Sequence, residues 1–180
     1  MEMDIGISKD ARANIAQHLS RVLADTYMLY LKTHAYHWNV TGPMFSSLHL
    51  MFETQYIQLH DTTDLIAERI RALGHFAPGN YGTYGRLSSI RDENEEVPAA
   101  LSMVRYLVSG HEALSRSARE AFKTANESDD QPTVDLLTGI MEASEKAAWM
   151  LRSHLENPQS ETMVNVAAVP TASASASGRA

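Results

Sequence analysis

A stripe of imidazoles and carboxylates in the first half of the chain has the residue types and spacing of a metal site. When residues 44 to 73 are drawn as an α-helix at about 100° per residue, His49, Glu53, His60, Asp64 and Glu68 share a band about 100° wide. Side chains at i and i+4 lie one turn apart and can point at one ion. The simpler alternative is a solvated polar face, which the stripe by itself does not exclude.

The spacing of this stripe favours a site shared between two chains. Glu53 and Asp64 are eleven residues apart, which is roughly 16 Å along a helix that rises about 1.5 Å per residue, so one helix cannot close both on a single ion. The midpoint of positions 53 and 64 is 58.5, and the midpoint of 49 and 68 is the same. Two antiparallel copies related by a two-fold axis at that point would therefore place His49 and Glu53 opposite Glu68 and Asp64, twice per dimer.

A further imidazole lies near the end of the preceding helix. His37 comes twelve residues before His49, and Gly42 and Pro43 between them predict a reversal of the chain that would bring the two rings together. A histidine near a helix end is more often satisfied structurally, but one beside a His and carboxylate cluster is a better candidate ligand. His34 lies one turn earlier and could support the ligands from behind or bind metal transiently.

The available donors limit the metals. The chain contains no cysteine, so thiolate ligands and disulfides are excluded. Oxygen and imidazole donors suit iron or manganese, with zinc as an alternative that would bring no redox chemistry. None of the eight histidines follows a glutamate by three positions, so the Glu-x-x-His pairs that mark di-iron sites within a single bundle are absent.

Apolar residues recurring every three to four positions predict the helices that must position these ligands. A connection rich in glycine, from Gly74 to Glu96, separates the second helix from the third and suggests a crossover with one short helix near Leu87. Leu101 is expected to face inward on the third helix. The fold class predicted is all-α, a ferritin-like four-helix bundle with a long crossover between helices two and three. The four long helices are expected at about residues 9 to 39, 44 to 73, 97 to 125 and 132 to 156.

Length and composition predict one domain of ordinary size. With 180 residues, of which 44% are hydrophobic, the chain can build one core. We expect an N-terminal arm at residues 1 to 8, the bundle at 9 to 156 and a flexible tail at 157 to 180, whose small uncharged residues cannot form a core. No secretory signal or membrane span is evident in the sequence, so we expect a cytoplasmic protein, with association with the nucleoid left open.

Two segments carry a resemblance to a known family. The stretch HWNVTGPMFSSLHLMFE (37 to 53), followed by DLIAERIRALG (64 to 74), resembles the Dps family of mini-ferritins, the DNA-binding proteins from starved cells. TVDLL and WMLRSHLE in the last helix extend the resemblance over about residues 9 to 156. The family implies a shell of twelve subunits in which di-iron ferroxidase sites lie at dimer interfaces.

The resemblance also implies roles for particular residues. His37 and His49 would bind iron from one subunit and Asp64 and Glu68 from the other, with Glu53 as an additional carboxylate. The reaction implied is oxidation of Fe(II), usually by hydrogen peroxide, followed by storage of ferric mineral, which protects DNA. A structural protein that coats DNA and binds metal secondarily is the alternative, and a bundle that buffers zinc or another metal without redox chemistry is another.

Other positions have competing interpretations in this resemblance. Trp38 matches a tryptophan beside the family's site, where a core or interface role competes with radical trapping. Asp129, Asp130 and Asp135 resemble the lining of a three-fold pore that admits iron, although capping of the helix N-terminus explains them equally well. His60 lies beside the predicted two-fold axis and is expected to form a hydrogen bond across the dimer rather than a metal contact.

Charge argues against strong direct binding to DNA. The net charge is −7, and no single segment concentrates lysine or arginine. The N-terminal arm region offers Lys9 and Arg12 against three acidic residues, and the tail offers only Arg179. We therefore predict weak DNA binding at neutral pH.

Overall fold

A computed structural model describes residues 3–91 and 96–156, and these residues form five helices and no strand. None of the described helices is long and apolar enough to cross a membrane. Four of the helices are long, and the third is a short helix within the crossover. They are α1 (Lys9–Asn39), α2 (Phe45–Ala72), α3 (Tyr81–Leu87), α4 (Ala100–Asn126) and α5 (Gln131–Arg152).

The long helices pack as two antiparallel hairpins. Short loops join α1 to α2 and α4 to α5, and these two pairs make the most extensive contacts. Arg69 near the end of α2 hydrogen-bonds Asp130 and Thr133 at the start of α5, so α2 and α5 also run antiparallel. Because α4 and α5 are antiparallel too, α2 and α4 run in the same direction. The predicted bundle with a long crossover between its second and third long helices is confirmed.

The crossover is fastened to α1 by buried polar contacts. The Asp25 carboxylate accepts hydrogen bonds from the Ser88 hydroxyl at 2.8 Å and from the Ser89 amide at 2.6 Å. Lys32 donates to the Arg91 carbonyl at 2.6 Å. Since Asp25 is 1% exposed, these donors replace the water that the carboxylate loses on folding.

The helix ends follow local backbone chemistry. Gly42 adopts a φ of 105° in the turn after α1, a conformation that L side chains rarely adopt. The third long helix begins at Ala100 instead of the predicted Val97, because Pro98 disfavours helical geometry in the residue before it. The last helix ends at Arg152 instead of Glu156.

The core is the apolar interior between the four long helices. The apolar residues along one face of the second helix are all buried, namely Leu48, Phe52, Leu59, Ile66, Ile70 and Leu73. The prediction for Leu101 is wrong, because this side chain is 40% exposed. The buried stripe of α4 instead starts at Met103 and Val104, and Leu101 lies two residues before Met103, a rotation of about 200° that turns it outward.

The N-terminal arm packs against the first helix. In the N-terminal arm, the Arg12 guanidinium donates to the carbonyls of Met3 at 3.2 Å and Ile7 at 2.8 Å, so residues 3 to 8 fold back on α1. The predicted tail at 157 to 180 lies outside the described residues.

Candidate metal centre

His37 and His49 meet where α1 ends and α2 begins. The Nδ1 of His37 lies 2.9 Å from the carbonyl oxygen of His49, and the Nδ1 of His49 lies 2.9 Å from the carbonyl oxygen of His37. The two rings stack with their centroids 3.8 Å apart. The expectation that the turn at Gly42 brings the two imidazoles together is confirmed.

These reciprocal bonds fix which nitrogen of each ring is free. A carbonyl oxygen can only accept, so each Nδ1 must carry a proton and donate. In a neutral imidazole the lone pair then lies on Nε2, the nitrogen that remains for a metal. Neither Nε2 has a hydrogen-bond partner in the described parts of the chain. A metal-binding histidine ordinarily has its second nitrogen held in this way.

The carboxylates of the stripe occupy one face of α2. Glu53 lies one turn after His49 and is half-buried, whereas Asp64 and Glu68 lie further along and are exposed. None of the three has a hydrogen bond or ion pair with another described residue. Within one chain, the described residues contain no group of three or more side chains close enough to hold a metal ion. The fold therefore brings the two histidines together but leaves Asp64 and Glu68 apart from them.

An aromatic cluster surrounds the histidine pair. The His34 ring stacks on Tyr56 with centroids 4.0 Å apart and lies 4.2 Å from Trp38, and Tyr56 contacts His37 edge-on at 5.2 Å. Desolvation, followed by the charge of His37, lowers the pKa of His34. Trp38 is 62% exposed in the single chain, so a core role for it is wrong. Tyr56 is a member of this cluster that sequence reasoning did not single out.

His60 lies further along α2 and is exposed. Its Nδ1 is 3.5 Å from the Asp61 carboxylate, and its ring lies 5.5 Å from that of Tyr30. The predicted bond from His60 across a dimer remains a prediction.

The acidic residues at the start of α5 divide into two kinds. Asp130 is fully buried, caps α5 by accepting from the Thr133 amide, and pairs with Arg69 at 2.5 Å. Burial by itself would raise the pKa of Asp130, but hydrogen bonds from Arg69 and Thr133 outweigh it and hold that pKa below its usual value. Asp129 and Asp135 are exposed. The capping explanation therefore accounts for Asp130, and only the other two can face a pore from this chain.

Arg69 was missed by sequence reasoning. Its partner Asp130 is 61 positions away in sequence, so no local pattern joins them. The only available signal was its place within the stretch DLIAERIRALG that carries the resemblance.

Comparison with known proteins agrees with this fold. The family model described as a ferritin-like domain matches residues 16–160. A Dps structure from Vibrio cholerae, described as a member of the ferritin-like diiron-carboxylate proteins, superposes with a TM-score of 0.81 at 29% identity, covering 87% of this chain and 98% of that one. The structure of antigen TpF1 from Treponema pallidum gives a TM-score of 0.80 at 32% identity over 87% of this chain and all of the other. The fold and its relatives define a ferritin-like protein.

Relatives in sequence narrow the class. DNA protection during starvation protein 2 of Bacillus anthracis is 37% identical over 141 residues, which are 78% of this chain and 96% of that protein. An uncharacterised low-temperature-induced protein of Nostoc is 41% identical over 155 residues, covering 86% of this chain and 87% of that protein. This chain belongs to the Dps family of ferritin-like proteins.

Proposed function

We propose that this protein is a ferroxidase and an iron store that oxidises Fe(II) at di-iron sites shared between two copies of the chain. Each site would take His37, His49 and Glu53 from one subunit and Asp64 and Glu68 from the other. The ferric product would be stored in a shell of twelve subunits built from two-fold dimers.

The observation that carries this proposal is the reciprocal bonding of His37 and His49. It prepares two Nε2 lone pairs at one end of α2, and the half-buried Glu53 adds an oxygen donor one turn further on. The exposed pair Asp64 and Glu68 has the spacing needed to meet these donors when two α2 helices pack antiparallel about their common midpoint. Isologous packing would complete two sites at once.

The donor set fits iron as the substrate. Carboxylates and imidazoles without thiolates are donors that iron accepts in its ferrous and ferric states. Anionic oxygen ligands stabilise Fe(III) more than Fe(II), which lowers the free-energy cost of oxidation. With hydrogen peroxide as the oxidant, two Fe(II) ions give up one electron each. One peroxide and two protons then become two water molecules, and no hydroxyl radical is released.

Protection of DNA would follow from this chemistry. Removing Fe(II) and peroxide together removes both reactants of radical formation, which agrees with the name of the Bacillus anthracis relative. Direct DNA binding through the N-terminal arm is predicted to be weak, because Arg12 is buried and engaged by backbone carbonyls. Asp129 and Asp135 are proposed to help ferrous ions enter the shell, since exposed carboxylates attract cations.

A coassembly experiment tests both the site and its sharing. One variant carries His37→Leu and His49→Leu, the other carries Asp64→Asn and Glu68→Gln, and each is expected to lose rapid oxidation of Fe(II) by peroxide. In shells refolded from an equal mixture, half of the dimers would be mixed and each would hold one intact site, so about a quarter of the wild-type activity should return. Ferric absorbance measures the rate, and native mass spectrometry confirms mixing.

Matched controls make the result specific. Glu127→Gln with Glu142→Gln neutralises two exposed carboxylates away from the stripe and should leave the rate unchanged. If either test variant alone oxidises iron at the wild-type rate, the assigned ligands are wrong. If mixed shells form without recovery, the site is not shared in this manner. The solution mass of the particle tests the number of subunits separately.

A further inference from the structure

A groove between α1, the crossover and α4 collects arginines from three parts of the fold. It encloses about 470 Å³. Arg21 reaches it from α1, Arg86 and Arg91 from α3 and the segment after it, and Arg116 from α4. A second hollow of about 250 Å³ shares Arg91 and Arg116 with it and extends towards Lys32. Cations spread over 96 positions of sequence thus line one continuous surface.

The described residues leave this groove with an excess of positive charge. Four guanidinium groups face only two carboxylates, those of Asp25 and Glu120, among its described lining. Asp25 is already held by the Ser88 and Ser89 donors. None of the four arginines forms an ion pair with a described residue. Among the described lining residues the excess is two positive charges, in a chain whose net charge is −7.

Most of the guanidinium donors in the groove have no acceptor among the described residues. Arg86 uses one nitrogen for the Thr83 hydroxyl at 3.0 Å, and Arg91 uses one for the Gly85 carbonyl at 2.7 Å. Arg21 and Arg116 have no hydrogen bond or ion pair within the part of the chain that the structure describes. Among the described residues these two side chains therefore keep complete planar forks, the geometry that matches two oxygens of one anion.

We propose that this arginine groove is a binding site for phosphate groups. A tetrahedral dianion matches the excess of two positive charges and can accept from several forks at once. The Ser117 side chain in the lining adds a neutral donor. Free inorganic phosphate and the phosphodiester groups of DNA both present anionic oxygens on tetrahedral phosphorus, the first as a dianion and each of the second as a monoanion. The site is separate from the metal ligands on α2, so its presence does not depend on iron oxidation.

Titration of the iron-free assembled protein with inorganic phosphate, followed by calorimetry in a buffer of low chloride, tests the site. Saturable binding is expected for the wild-type protein. The double variant Arg21→Gln with Arg116→Gln should bind phosphate at least about tenfold more weakly, because each substitution removes a pair of charge-assisted hydrogen bonds. Arg116→Lys keeps the charge but not the fork and should fall between the two.

Arg119→Gln is the matched control. It removes one positive charge, half the change made by the double variant, one turn along α4 from Arg116, at a side chain paired with Glu145 outside the groove, and should leave phosphate affinity unchanged. Circular dichroism and particle mass verify that every variant is folded and assembled. Absence of saturable phosphate binding, or equal weakening by Arg119→Gln, would overturn the proposal.

A second arm identifies the source of the phosphate. Fluorescence anisotropy of a labelled duplex of DNA is measured with the same variants. The groove binds the backbone of nucleic acid if the duplex binds, if Arg21→Gln with Arg116→Gln weakens that binding, and if inorganic phosphate displaces the duplex. Calorimetric binding of inorganic phosphate without binding of the duplex assigns it to the free anion.

Discussion

His37, where α1 ends beside the start of α2, and His111, in the middle of α4, show two outcomes for a buried imidazole. His37 is 8% exposed, and its Nδ1 is held by the carbonyl of His49. His111 is 3% exposed, and neither of its ring nitrogens has a partner within the described chain. Its neighbours include Gln55, whose Oε1 is also unpartnered, beside a cavity of about 20 Å³. Burial alone therefore does not prepare a ligand.

The two sites differ in whether a hydrogen bond holds one of the ring nitrogens. In the pair of His37 and His49, Nδ1 of each ring donates to a backbone carbonyl, and Nε2 is left for an ion. Carboxylates lie further along α2. At His111 the described residues hold neither ring nitrogen and place no carboxylate in the surrounding pocket, and burial lowers the pKa of His111 to about 4. A histidine is prepared for metal when one nitrogen is oriented and anions can reach the other.

The strongest test of this comparison is iron oxidation by matched histidine variants. His37→Leu with His49→Leu should reduce the rate of oxidation by peroxide at least about 10³-fold, near 4 kcal/mol in activation free energy, because two ligands are lost. His111→Leu should keep the rate within about twofold. Stopped-flow ferric absorbance measures both, and an equal loss in the two variants would refute the distinction.

At the other end of the bundle, removal of Arg69 tests whether a buried polar group needs its partner. Arg69→Leu should lower the free energy of unfolding by about 3 kcal/mol, because the Asp130 charge is left buried without its cation. Since the pKa of Asp130 is depressed in the folded state, this stabilisation is present at neutral pH and is lost as the pH falls below about 4. Denaturant unfolding at pH 7 and pH 3.5 checks both statements, and a deficit that persists undiminished at the lower pH would contradict the assignment.

The unpartnered His111 should make the protein sensitive to acid. Its pKa is about 4 in the folded protein against 6.5 as a free group, so the unfolded chain binds the proton first as the pH falls below 6.5. Stability should decrease by about 2 to 3 kcal/mol between pH 7 and pH 4.5, and level off below pH 4. Comparison of the wild-type protein with His111→Leu isolates this part of the pH profile. Parallel profiles would show that His111 is not responsible.

The smallest expected change in the free energy of unfolding comes from breaking an exposed ion pair. Arg119 and Glu145 lie 2.6 Å apart, with both side chains 56% exposed. Arg119→Gln should change the free energy of unfolding by about 0.5 kcal/mol or less, because water screens the pair and already solvates both charges. Thermal melts at low and high salt measure it. If Arg119→Gln lowers the free energy of unfolding as much as Arg69→Leu does, then burial of the ion pair does not determine its contribution to stability.

The long helices and the ligand stripe could be predicted because both depend on the spacing of residue types along the chain. His49, Glu53, Asp64 and Glu68 share one face of α2 by spacing alone, and Gly42 marks the turn that brings His37 to His49. Leu101 was misjudged because an apolar residue at helical spacing does not reveal where the buried stripe begins. Asp130 was ambiguous because its cation lies on another helix.

The sequence by itself determined the helices, the absence of thiolate chemistry and the common midpoint that favours a shared site, because helical spacing converts position directly into direction. Only the tertiary structure decided which nitrogen of each histidine is free, how Asp130 is neutralised and that four arginines from distant segments line one groove. These features depend on contacts between side chains tens of residues apart. Their distances are set by the packing of helices against one another, which no local pattern encodes.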